Sequence, residues 1–222
     1  MGARPRSALV LELGLGTGAG ASALLLAAAW EDQLPGLLSG LLIPAVLLYT
    51  PIFALLFSDR DFPAAGLVWP HWSRAGVDLL LVIGLVLPVF HLGFWALMKF
   101  GLGRTFAPHW PSGLSRLVLY QVLAVALPEE VFFRGWLQGR LDQLLPARLE
   151  FAGAGITPGL FIAAVLFALA HYLVHPRPVQ LLVFFPGLLF GYLRARSGSV
   201  LVPILAHALS NIFFLVFQKW MV

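Results

Sequence analysis

At 222 residues the chain is long enough for one or two domains, yet 60% of it is hydrophobic, only 11% is charged, and its mean hydropathy is +0.91. A soluble domain carries about 25% charged residues, and here apolar runs of about 20 residues recur, which excludes a soluble fold and points to a polytopic membrane protein. The absence of cysteine excludes disulfides, thiolate catalysis and cysteine-held metal, and a net charge of +4 fits cytoplasmic loop anchors rather than nucleic-acid binding.

In chain order, Met1-Gly-Ala-Arg-Pro-Arg6 resembles the basic flank of a signal peptide, but no clear cleavage site follows, so the apolar run over 8–29 is read as a retained first span. That run contains Glu12, read as a residue that snorkels near the span end, and Gly14-x-Gly16-x-Gly18, read as a helix-packing stripe rather than a nucleotide loop. A polar turn, Trp30 to Pro35, precedes a second span over 36–57, which Pro44 and Pro51 are expected to bend. A loop over 58–75 carries Trp69 and Trp72, suited to a membrane interface. The third span covers 76–98 and contains His91, a lone residue read as structural.

A fourth helix runs from about 113 to 127 and meets Pro128. Proline fits a first helical turn and breaks a hydrogen-bond ladder inside a helix, so either a kink or a new helix start is expected, continuing to about 144. Residues 145–155 form a loop, 157–174 a fifth span, 179–194 a short sixth, and 199–218 the last. The expected fold is all-α: a polytopic transmembrane bundle of about seven spans (six to eight), one integral membrane domain over 1–222, with a pocket inside the bundle. The loop arginines, Arg134 and Arg140 counted among them, vote weakly for a cytoplasmic N-terminus.

The polar residues inside the spans carry the functional argument. Leu127-Pro-Glu-Glu-Val-Phe-Phe-Arg-Gly-Trp136 places Glu129 and Glu130 side by side in apolar surroundings, with Arg134 one helical turn after Glu130. An intramembrane ionisable residue is by default a functional hypothesis. Glu130 with Arg134 reads as a structural ion pair, whereas Glu129 has no cation at helical spacing. His171 lies in the fifth span, and His207 and Asn211 share one face of the seventh. A set of this kind can activate a water on Glu and His, with a second His and an Asn donating to an oxyanion. Alternatively, Glu129, His171 and His207 could hold zinc, although the His-Glu-x-x-His spacing of the common zinc proteases is absent. His175, one turn after His171, could join it at a metal, but the Pro176 that follows places it at a span end near water.

Glu129-Glu130-x-x-x-Arg134, Phe167-x-x-x-His171 and His207-x-x-x-Asn211, in that order, resemble the CPBP intramembrane protease family, which includes the CAAX prenyl endopeptidases and the Abi-type bacterial proteins. Gly187-Leu-Leu-Phe-Gly191 and Pro203-Ile-Leu-Ala-His207 extend the similarity, which covers 115–215 as a protease core. The resemblance implies an intramembrane endopeptidase of glutamate type acting near the membrane-associated C-terminal region of a protein or peptide. In it Glu129 and His171 would activate water, His207 and Asn211 would bind the oxyanion, and Glu130 with Arg134 would support them. No cofactor is expected, zinc being the alternative. The implied partners are a membrane-anchored substrate and the lipid bilayer, not nucleic acid. The short chain, without a eukaryotic targeting signal, points to a bacterial inner membrane and to a sorting-tail or bacteriocin-type peptide rather than a prenylated protein. The competing reading is non-enzymatic: a bacteriocin-immunity-type binder or an ion-coupled carrier using the same carboxylates and imidazoles as a relay. The lack of visible inverted repeats counts against a carrier.

Overall fold

The computed structural model describes residues 5–30, 36–58 and 61–222. Arg4, the polar turn over 31–35 and Arg60 lie outside the described residues. Among those described, seven helices follow one another: α1 (Arg6–Trp30), α2 (Gly36–Phe57), α3 (Trp72–Gly101), α4 (114–144), α5 (Pro158–Val174), α6 (Pro178–Ser197) and α7 (Leu201–Trp220). Five of them, α1, α2, α3, α6 and α7, are long and apolar enough to cross a membrane. Helix α5 is apolar but has 17 residues, and α4 carries the charged motif. The all-α polytopic bundle is borne out, and the chain is an integral membrane protein.

Local sequence explains where the site-bearing helices begin and end. Thr157 caps α5 by accepting from the Leu160 amide at 3.2 Å, and Pro158 occupies the first turn, where its missing N–H leaves nothing unsatisfied. The same threonine hydroxyl donates to Asp142, which ties the start of α5 to the end of α4. Gly198 ends α6 at φ 71°, a left-handed conformation in which a side chain would be strained. Helix α2 continues through Pro44 and Pro51.

Pro128 produces neither a new helix start nor a break. Helix α4 continues through it, with π-helical turns at Gln121–Ala126 and Val131–Leu137 on either side of Leu127–Glu130. The Leu127 amide bonds Val122 O five residues back, so the widened turn absorbs the donor that proline lacks. Glu129 and Glu130 therefore lie inside a continuous helix and gain no free N–H groups from a helix terminus.

Helix α4 is the axis of the bundle. Phe132, Phe133 and Trp136 pack with Leu13 of α1, Leu47 of α2 and Phe167 of α5. On another side, Ala126 and Val131 meet Ile204 and Ala208 of α7. Helices α3, α6 and α7 share a separate core around Val82, Phe190 and Val202. Close approach depends on missing side chains. A Cβ on Gly16 would overlap the Trp136 indole, which supports the packing reading for that glycine, whereas Gly14 and Gly18 face open space. A Cβ on Gly187 would press on Phe167 and Ala164 at 3.3–3.4 Å.

Three expectations are corrected here. Glu12 does not snorkel: its Oε1 accepts from Trp136 Nε1 at 2.7 Å and from Arg140 Nε at 2.9 Å, fastening α1 to α4. Arg134 and Arg140 are fully buried and cannot be counted as loop anchors, so the charge vote on orientation loses two of its votes. The loop over 145–155 holds an antiparallel hairpin, Leu149–Phe151 with Ala154–Ile156, turning at Ala152 and Gly153 with positive φ. Asp78 of α3, also buried, pairs with Arg196 Nε at 2.8 Å at the end of α6. His91 is buried away from the motif residues: its Nδ1–H donates to Leu87 O at 2.6 Å, and its ring meets Phe217 edge-on.

Candidate active site

Glu129 and Glu130 are consecutive on α4, so their side chains diverge by about 100° around the helix axis. The two carboxylates meet different partners as a result. Glu129 is 16% exposed, and its Oε2 lies 4.0 Å from His171 Nε2 on α5 and 3.9 Å from His207 Nε2 on α7. That oxygen has no hydrogen-bond partner among the described residues. Glu130 is fully buried, and its Oε1 accepts from Arg134 Nη1 at 2.8 Å and from His207 Nδ1 at 2.8 Å.

Arg134 completes a sealed arrangement. Its Nη2 donates to Gly187 O of α6 at 3.3 Å, and its guanidinium lies 4.1 Å from the centre of the Phe167 ring. A buried charge pair persists only when hydrogen bonds and neighbouring dipoles replace lost hydration. Here a carbonyl, an imidazole and an aromatic face supply them. Gly187 permits the close packing of α6 on Phe167 and Ala164 of α5, next to this carbonyl.

The imidazoles are oriented by what their Nδ1 atoms reach. His171 Nδ1–H donates to Phe167 O at 2.9 Å, one turn back on α5. His207 Nδ1–H donates to Glu130, and its ring stacks on Phe190 at 4.8 Å with 17° between planes. In both rings the bond at Nδ1 orients the ring and turns Nε2 toward Glu129.

A cavity of about 330 Å³ opens onto Glu129 and His171, with Tyr120 and His175 also on its wall. His175 caps α5 and is exposed, as its place at the span end implies. The described residues lining the cavity do not include His207 or Asn211. Asn211 donates from Nδ2 to Gln121 Oε1 at 2.9 Å, so its amide meets α4 two turns before Glu129 rather than either imidazole. Of the sequence-derived set, the structure brings Glu129, Glu130, Arg134, His171 and His207 together and sets Asn211 at one remove.

Ligands about 2.1 Å from a tetrahedral zinc lie about 3.4 Å from one another. The two Glu129–imidazole separations are wider, and among the described residues no three His, Asp or Glu side chains surround a metal-sized point. As arranged, Glu129, His171 and His207 do not fit a zinc ion. The same separations fit one water bridging a carboxylate and an imidazole.

A family model described as type II CAAX prenyl endopeptidase Rce1-like matches residues 111–213. Residues 111–213 are thus similar to an Rce1-like domain. The resemblance to the CPBP family drawn from the three motifs is thereby borne out. The Rce1-like match spans α4 to α7 up to residue 213 and holds every motif residue, while α1 to α3 lie outside it. At the level of the family, an Rce1-like domain means a membrane-embedded protease. No curated protein and no solved structure matches the chain.

Two features of the site were not anticipated. One is the Glu130–His207 bond, which makes Glu130 more than the partner of Arg134. The other is Gln121, a buried amide in an apolar stretch. The rule that a lone polar residue in a span is informative would have found Gln121 and Asp78. Nothing in the spacing reveals a contact between residues 130 and 207.

Proposed function

We propose that the protein is an intramembrane endopeptidase that hydrolyses a peptide bond near the membrane-associated C-terminal region of a protein or peptide substrate. The observation that carries this reading is the placement of Glu129 Oε2 about 4 Å from two imidazole Nε2 atoms, at the wall of a largely apolar cavity. Water held between Glu129 and His171 loses a proton to Glu129 and attacks the scissile carbonyl carbon. The carbonyl oxygen becomes an oxyanion, which His207 stabilises through Nε2–H while Glu130 balances the charge on the ring. Asn211, one turn further along α7, donates instead to Gln121 and holds α7 against α4. The proton taken up by Glu129 then passes to the departing amine as the C–N bond breaks. Water of this kind is scarce in a membrane, and a pocket closed by helices lets the carboxylate act in low-dielectric surroundings, where such interactions are strongest.

The test is reconstitution of the purified protein in liposomes with a solubilised total membrane-protein extract, followed by mass spectrometry of newly formed termini. New termini close to the C-terminal hydrophobic segments of substrates are expected, and they should persist in 1,10-phenanthroline and EDTA. Loss of all cleavage in chelator, with recovery on adding zinc, would replace the glutamate mechanism by a metal one. Absence of any new terminus, with protection from a membrane-active peptide instead, would favour the binder.

A further inference from the structure

We infer that helix α2 selects the apolar side chain that the site accepts, with Gly40 holding open the space for it. The inference rests on the hydrolytic reading above and concerns the part of the cavity wall that lies outside the motifs. That wall is built from Gly40, Ile43, Pro44 and Leu47 of α2, backed by Leu24 and Ala27 of α1. Positions 40, 43, 44 and 47 recur at three- and four-residue spacing and so share one helix face. All are apolar, and all lie outside residues 111–213, so the part of the chain that carries the motifs and the part that shapes this wall are separate.

Gly40 is informative because it lines the cavity and yet a Cβ built on it meets no atom of the described residues within 4 Å. Gly16 and Gly187 are small because another helix is in the way. Among the described residues Gly40 has no such neighbour, and because it lines the cavity a side chain there would take up cavity space. A volume of about 330 Å³ is at the lower end of ligand sites, which suits one side chain with its adjoining backbone. The occupant is therefore an apolar side chain of the peptide next to the bond that faces Glu129 and His171, since those groups open onto the same space. One methylene more or less in such a pocket is worth about 10- to 200-fold in discrimination.

The experiment uses the same proteoliposomes and total membrane-protein extract, with wild type, Gly40→Leu, Ile43→Ala and Glu129→Gln compared. The residues flanking each new terminus are tallied, and thermal unfolding is recorded for every variant. Wild type should prefer a large apolar residue at one position beside the cut. Gly40→Leu should shift that preference toward Gly and Ala by at least about tenfold, and Ile43→Ala should shift it toward Phe and Trp. If Gly40→Leu does not fold, the Ile43→Ala shift decides. Unchanged preferences in both variants would overturn the inference, as would a uniform loss across all substrates, the result expected if a lipid chain fills the space. Failure of wild type to form any terminus that Glu129→Gln lacks would instead remove the hydrolytic reading beneath it.

Discussion

Glu129→Gln is expected to lower kcat by about 10²- to 10⁴-fold, the share a positioned general base supplies, without lowering Tm. The two halves of this result are linked. Glu129 Oε2 has no hydrogen-bond partner among the described residues and sits in a largely apolar cavity. A carboxylate that meets two imidazoles only at about 4 Å, with no direct hydrogen bond at that oxygen, adds little to stability, and a neutral amide of the same shape is tolerated. A residue kept for packing would show the reverse: activity scaling with the amount of folded protein, and a lower Tm. Initial rates in proteoliposomes and thermal unfolding of the same preparation separate the two. A variant that cleaves at the wild-type rate would leave Glu129 without a catalytic role.

Arg134→Met should produce the opposite profile, a large loss of stability. It removes the cation that faces Glu130 at 2.8 Å in a fully buried pair. Breaking such a pair costs about 3–5 kcal/mol, because the remaining charge is left without compensation. Set against a typical total of about 5–15 kcal/mol, that is enough to abolish accumulation or to lower Tm sharply. Arg134→Lys should recover only part of the loss. An ammonium can meet Glu130, but it cannot also hold the Gly187 carbonyl and lie flat on Phe167. The double variant Arg134→Met with Glu130→Gln should be more stable than Arg134→Met alone, because no bare charge remains. Unfolding curves for the three variants check this ordering. A Tm for Arg134→Met equal to wild type would mean that the pair contributes little.

The contrast between these two positions bears on how much of the molecule can be read from its sequence. Span positions were legible because a membrane helix must be apolar along its length, and the observed bounds of α2 and α5 fall within a residue of the apolar runs. The carboxylate pair, Arg134 and the two histidines stood out for the same reason, since each interrupts an apolar run. What the runs could not reveal was pairing across the bundle. Glu12 looked like a residue at a span end because its partner, Arg140, is 128 positions away. Glu130 looked satisfied by Arg134, so the second bond to His207 had no signal. The hairpin over 149–156 has an exposed first strand and an Ala-Gly turn, a weak turn signal. The π-turns around Pro128 have no periodicity of their own. Local rules located the polar groups, and only the packed helices showed which group faces which.

The most direct test of water activation by Glu129 is the fate of the oxygen during a single turnover in H₂¹⁸O. With enzyme in excess over substrate, the new C-terminal carboxyl should carry one ¹⁸O atom, and the Glu129 carboxylate should stay unlabelled. Unlabelled product together with ¹⁸O in the peptide that contains Glu129 would show that the carboxylate itself attacks the carbonyl, and would contradict the account.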